Sequence, residues 1–315
     1  MSGADASATG PAPAGADGDG PQGTAPDEAT TPVLPEAMVG DVVAGELVEL
    51  RPGVRRLTAP NPGMMTGPGT NCYLVGTDEI VVVDPGPADE GHIARLVEAG
   101  GGRIRWIALT HTHPDHWPAA PALAAATGAE VVGFTSRDGL EVDRELADGD
   151  VVGTGDAALR AVHTPGHASN HLCFWDEDRR LLFTGDHVMS GSTVVISPPD
   201  GDMAAYLASL DKVRALAPEA LAPAHGPLIT EPDPYLEHYI THRRAREAAV
   251  AAALAAVGPD GADTEALVKA VYVDVPELLH PVARFSVWAH LRQLTAEGRA
   301  TAVDPDDPDT TWTAA

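Results

Sequence analysis

A chain of 315 residues that is 44% hydrophobic can build one large domain or two of ordinary size around a substantial core. Its formal net charge of −26 repels polyanions and argues against nucleic acid or an anionic membrane surface as a partner, DNA above all. No apolar run approaches the ~18 residues of a membrane-spanning helix, and the N-terminus lacks a basic start followed by an apolar stretch, so neither membrane insertion nor secretion is expected.

Residues 1 to about 45 carry seven acidic groups, no Lys and no Arg, and show no periodicity. Such a composition buries too little apolar surface to offset ordering entropy, and it predicts a disordered acidic tail, with only its last few residues open to order. From 46 to 230 short β-rich runs alternate with turns and helices. "LVELRPGVRRLTA", "NCYLVG" and "EIVVVDPGP" read as strands, the last ending in Asp84 and a Pro/Gly turn. "EGHIARLVEAG" reads as a helix closed by Gly100, "IRWIALT" as a buried strand, and "PAAPALAAATG" as a helix that prolines open and Gly128 ends. "AEVVG", "DVVGTG", "ALRAVHTPGH", "HLCFW" and "RLLFTGD" continue the strands; an amphipathic helix, "MAAYLASLDKVRAL", and the strand "ALAPAHG" complete this region. Cys72 and Cys173 sit in strand runs without ligand spacing and read as buried free thiols, which fits a reducing cytoplasm. Residues 231–315 turn helical: "YLEHYITHRRAREAAVAAALAAV", "TEALVKAVY" and "FSVWAHLRQLTAEG", then a small hairpin, the outline of a winged helix. Arg243, Arg244 and Arg246 cluster in "THRRAR" and read as a solvated helix face.

The stretch "THTHPDHW" places His111, His113, Asp115 and His116 directly after a buried strand. Residues two apart on extended chain point to the same side, so one short loop can aim three imidazoles and a carboxylate into one space. Such donors suit a borderline cation such as Zn²⁺. Three more polar residues stand at strand-to-loop junctions: His167 in "HTPGHASNH", Asp186 in "LLFTGDH" and His225 in "APAHG". Each is flanked by glycine, which lets backbone pass close to a ligand.

The set resembles the five motifs of the metallo-β-lactamase superfamily: Asp84, then the H-x-H-x-D-H run at 111–116, then His167, Asp186 and His225, in order, over about residues 46–230. The resemblance implies an α+β fold, a four-layer αβ/βα sandwich, with two metal ions at one edge. It implies that His111, His113 and His167 hold one ion, Asp115, His116 and His225 the other, and that Asp186 bridges. The ions would be zinc, with Mn²⁺ or Fe²⁺ as alternatives, and a bridging hydroxide would attack the substrate, which makes Asp115 and Asp186 the catalytic carboxylates. Asp84 would orient a ligand by hydrogen bond or merely form a turn. His171 and His187 are candidates for supporting hydrogen bonds or proton donation, against a purely structural role. Lactam-hydrolysing members usually carry Cys in the second metal site, and diiron redox members have Glu at the position of His113, so a different hydrolysis is implied.

"APNPGMMTGPGTNCYLVG", "STVVISPPDGDMAAYLASL" and "ELLHPVARFSVWAHLRQLTAEGRA" resemble the branch that ends in a winged helix, which includes endoribonucleases acting on single-stranded RNA. "DHWPAA" departs from that branch's frequent D-H-x-G-G. Residues 231–315 hold seven basic and fourteen acidic residues, which suits packing or homodimer formation better than DNA reading. The expectation is therefore a metal-dependent hydrolase of a small ester or thioester, with single-stranded RNA as the alternative substrate.

Overall fold

The structure, a computed structural model, describes residues 38–39 and 42–315. The acidic tail expected over 1–45 therefore lies outside the described residues up to 37 and at 40 and 41. In chain order the strands are β1 (Met38–Val39), β2 (Leu47–Arg51), β3 (Val54–Thr58), β4 (Asn71–Val75), β5 (Ile80–Val83), β6 (Ile104–Ala108), β7 (Glu130–Gly133), β8 (Arg144–Glu145), β9 (Val151–Val152), β10 (Leu159–His163), β11 (Leu172–Asp176), β12 (Leu181–Gly185), β13 (Ala220–Pro223), β14 (Leu228–Ile229), β15 (Ala300–Ala302) and β16 (Trp312–Ala314). The helices are α1 (Glu90–Gly100), α2 (Ala120–Thr127), α3 (Met203–Ala215), α4 (Pro232–Val257), α5 (Thr264–Val271) and α6 (His280–Ala296).

Two sheets run in the orders β2-β3-β4-β5-β6-β7-β8 and β1-β14-β13-β12-β11-β10-β9. Side-chain alternation builds the layers. Tyr73, Val75, Val81 and Val83 of the first sheet meet Leu172, Phe174, Leu181 and Phe183 of the second in a shared core. Their neighbours Cys72, Leu74, Ile80 and Val82 face the other way, onto Leu96 of α1 and Leu123 of α2. Cys173, Trp175 and Leu182 face outward onto α3 and the first half of α4. Helices therefore cover both outer faces of a sheet sandwich, the four layers expected. Both cysteines are buried free thiols.

Local signals set the helix ends. Asp89 caps α1 by accepting from His92 N–H, and Asp202 caps α3 by accepting from Ala205 N–H, both at 2.7 Å. The closing residue of α1 is Gly101, at φ +55°, one position beyond the expected Gly100, because Gly101 adopts the left-handed conformation. The second half of α4 packs with α5, α6 and the β15–β16 hairpin around Trp288 and Trp312, a separate core. Arg243 does not lie on a solvated face: it is 2% exposed, although Arg244 is exposed. No helix among the described residues is long and apolar enough to cross a membrane.

Strand direction then fixes where polar tips collect. β5 and β6 are parallel, as are β12 and β13, and β10 runs with β12 because each is antiparallel to β11. Asp84, the 110–116 loop, His167, Asp186 and His225 all follow the C-terminal ends of these strands.

Candidate metal centre

The tips converge into two groups of donor atoms, each within 4.8 Å: His111, His113, His167 and Asp186 in one, Asp115, His116 and His225 in the other. In the first, His113 Nδ1 lies 2.9 Å from both His111 Nε2 and His167 Nε2. The far nitrogens of the two outer rings are already engaged. His167 Nδ1 donates to the Val195 carbonyl at 2.8 Å, and His111 Nδ1 sits 3.0 Å from Thr110 Oγ. Thr110 gives its own hydroxyl proton to Asp84 at 2.7 Å, so its oxygen is left to accept from His111. Both outer Nε2 lone pairs therefore face His113 Nδ1, which has one proton at most.

Asp186 joins the groups through its two oxygens. Oδ2 lies 3.6 Å from His167 Nε2, while Oδ1 lies 3.2 Å from His225 Nε2 and 3.6 Å from His116 Nε2. Asp115 Oδ2 stands 3.1 Å from His225 Nε2 and 3.5 Å from His116 Nε2. Buried atoms without hydrogen-bond partners are uncommon in folded proteins. Here His116 Nε2 and Asp186 Oδ1 are two of them, and both point into the cluster. Converging lone pairs, orphaned donor atoms and a His/Asp set fit divalent cations.

The electrostatics agree with that fit. Burial pushes His111 well below its ordinary pKa, helped by His116 and His171, and burial with His167 brings His113 to about 4. These rings are neutral donors at pH 7. Burial opposes charge on His225 too, but Asp186 and Asp115 outweigh it and lift the ring to about 9. His116 rises well above its usual range against burial, through Asp115, Asp186 and Asp84. Burial disfavours the Asp186 carboxylate, yet His225 and His116 hold it well below the usual range. Protons on His116 and His225 thus balance the carboxylates, a role that a bound cation would take over.

Asp84 sits behind the ligands. It accepts from His116 Nδ1 and Thr110 N–H, both at 2.8 Å, and from the Thr110 hydroxyl. His171 Nε2 accepts the backbone N–H of Asp186 at 3.2 Å, and its Nδ1 lies 2.9 Å from Thr164 Oγ. The buried ring of His187 packs edge-on to Tyr206 at 5.1 Å, and burial lowers its pKa to about 3. Asp115 and His116 lie in a turn ahead of α2, not at its first residues. Trp117, where the sequence departs from D-H-x-G-G, donates its indole N–H to the Thr112 carbonyl at 3.1 Å and packs on the outer core of the first sheet. Sequence reasoning missed Thr110 and the Val195 carbonyl. The threonine's position directly before His111 was a usable signal; a backbone carbonyl leaves none.

Comparisons with known proteins agree with this geometry. Residues 65–225 match the metallo-beta-lactamase superfamily, and residues 264–312 match the beta-lactamase associated winged helix domain. The chain is 32% identical over 289 residues to the lactamase-like protein vrtG of Penicillium aethiopicum, covering 89% of this chain and 90% of that one. It is 32% identical over 241 residues to the atrochrysone carboxyl ACP thioesterase of Aspergillus chevalieri, covering 74% and 77%. In fold it resembles a beta-lactamase domain protein from Burkholderia ambifaria, with a TM-score of 0.72 at 23% identity over 92% of this chain and 96% of that one. The chain belongs to the metallo-β-lactamase superfamily, a fold family with hydrolase members, and ends in the winged-helix domain associated with it.

Proposed function

We propose that the chain is a dinuclear, zinc-dependent hydrolase of a small ester or thioester. Its working parts are a catalytic unit of residues 46–230 and a winged-helix-like unit of 231–315, behind the acidic tail. His111, His113 and His167 would hold one cation and Asp115, His116 and His225 the other, with Asp186 within reach of both groups. The observation that carries the reading is the divided carboxylate of Asp186, one oxygen toward His167 and the other toward His116 and His225. Manganese and iron(II) are the alternatives, and the share of imidazole favours zinc over manganese.

When bound, the cations supply Lewis acidity, which acidifies water toward a pKa of ~7 and draws off negative charge developing on a carbonyl oxygen. The chain's own residues prepare that chemistry. Thr110 and the Val195 carbonyl fix the tautomers of His111 and His167, so that each presents a lone pair to the site. Asp84 does the same for His116. His171 holds the backbone of Asp186, and His187 packs beside it against Tyr206. Asp115, whose side chain is 26% exposed, is the carboxylate open to an incoming substrate, whereas Asp186 is 11% exposed.

An ester or thioester substrate is supported by the relative named as a thioesterase and by charge. The chain carries −26 overall, and its C-terminal 85 residues hold twice as many acidic as basic groups. Neither favours a polyanion. Single-stranded RNA, implied by the resemblance of the sequence to winged-helix endoribonucleases, is the competing substrate. A panel of acyl esters, thioesters and labelled single-stranded RNA, run on the zinc-loaded protein with and without chelator, tests the reading. Chelator-sensitive turnover of a thioester or ester is expected; chelator-sensitive cleavage of RNA alone would reverse the substrate assignment.

A further inference from the structure

Segment 187–197 touches three of the seven proposed ligands. It leaves Asp186 directly. Ser190 N–H donates to the His225 carbonyl at 3.1 Å, and the Val195 carbonyl takes the Nδ1 proton of His167 at 2.8 Å. Little in the segment holds itself: residues 191–197 form no helix or strand. Its backbone is instead held from behind by α4. Tyr235 accepts from Gly191 N–H at 3.0 Å and donates to the Met189 carbonyl at 3.1 Å. Tyr239 accepts from Met189 N–H at 3.1 Å and donates to the Ser192 carbonyl at 2.5 Å. Arg243 donates through Nη2 to the Val194 carbonyl, one residue before the carbonyl that fixes His167.

These three side chains are four apart, a single stripe along one face of the helix. All are buried, and the guanidinium of Arg243 lies 5.4 Å from the centroid of the Tyr206 ring. Among the described residues no carboxylate pairs with Arg243, so its placement is explained by the carbonyl it holds and the ring beneath it rather than by an ion pair. A merely packing helix would present apolar side chains here. This one offers a ladder of hydrogen bonds that matches the backbone of the segment.

We infer that Tyr235, Tyr239 and Arg243 are positioning residues for the metal centre, so that the C-terminal region takes part in holding His167 and His225 in place. The inference rests on the two-cation reading above.

The test is zinc affinity by chelator competition, with zinc stoichiometry and the visible spectrum of the cobalt-substituted full-length protein. Tyr239→Phe and Arg243→Met are compared with Arg243→Lys and with Arg246→Gln. Arg246 lies on the same helix but binds Asp274 and the Val271 carbonyl, away from the segment. Thermal unfolding of the metal-free proteins reports stability separately. Tyr239→Phe and Arg243→Met are expected to weaken zinc binding roughly tenfold, at the low end for residues behind a ligand, and to alter the cobalt spectrum. Arg243→Lys should recover part of the loss, and Arg246→Gln should leave affinity unchanged even where it lowers Tm. If Arg243→Met fails to fold, Tyr239→Phe, which removes one oxygen, decides. Wild-type affinity in both variants, or equal loss in Arg246→Gln, overturns the inference while leaving the metal reading intact. A wild-type protein that takes up no zinc overturns both.

Discussion

Asp84 Oδ2 lies 2.8 Å from His116 Nδ1, with both side chains buried, and the same oxygen takes the Thr110 hydroxyl proton. One carboxylate therefore steers His116 directly and His111 through Thr110. Asp84 has φ +49°, a conformation asparagine also tolerates, so Asp84→Asn keeps the turn but cannot accept in the same way. We predict zinc binding about 10–100-fold weaker, read by chelator competition. Unchanged affinity would make Asp84 a turn former only.

Asp186→Ala removes the one carboxylate that faces both donor groups. Zinc content should fall from near two equivalents to one or fewer, and turnover should drop by about 10²-fold or more, the scale seen when a single stabilising group is lost from an active site. Metal analysis beside steady-state kinetics checks it. A purified variant with wild-type turnover would remove Asp186 from the mechanism.

His290 is fully buried in α6, and burial, with Arg243, His242 and Arg246 nearby, brings its pKa to about 3. In the unfolded chain the ring titrates near its ordinary ~6.5. Between those values the unfolded state binds the extra proton, so stability rises with pH up to about 6.5 and falls as pH drops below it. The slope from one such group is at most ~1.4 kcal/mol per pH unit. Urea unfolding of the metal-free protein from pH 4.5 to 7.5 should show a shallower acid-side loss in His290→Leu than in wild type. Parallel curves would mean that this ring is not the group responsible.

Phe183 is buried between the sheets, its ring 5.1 Å from that of Tyr73, whose hydroxyl donates to the Pro223 carbonyl at 2.6 Å. Phe183→Ala opens a cavity at this junction and should cost about 3–5 kcal/mol of unfolding free energy. A loss of unfolding free energy, read from denaturant titration, below a third of that would place the core's weight elsewhere.

Much of this was legible because the donors stand at strand ends, where continuous apolar runs stop abruptly and polar residues begin. "EIVVVD" and "LLFTGD" each show the switch within one residue, and each delivers an aspartate to the same edge. Partners distant in sequence were harder. Arg243 sits in "THRRAR", a run that reads as solvated, yet its partner is Val194, 49 positions away. Only the packing of α4 under the 187–197 segment reveals that burial. His187, beside Asp186 in sequence, left a supporting and a structural role both open, and its ring turns onto Tyr206 of α3, as the structural alternative requires.

Four of the proposed ligands hang from the first sheet and three from the second. Cations held among them would rivet the two halves of the sandwich at one rim, adding to the apolar core and to cross-sheet hydrogen bonds such as that from Tyr73 to Pro223. Resistance to heat and to proteases would then track the free zinc concentration, growing with its logarithm once the sites fill. In a metal-poor medium the same chain would yield first along that rim.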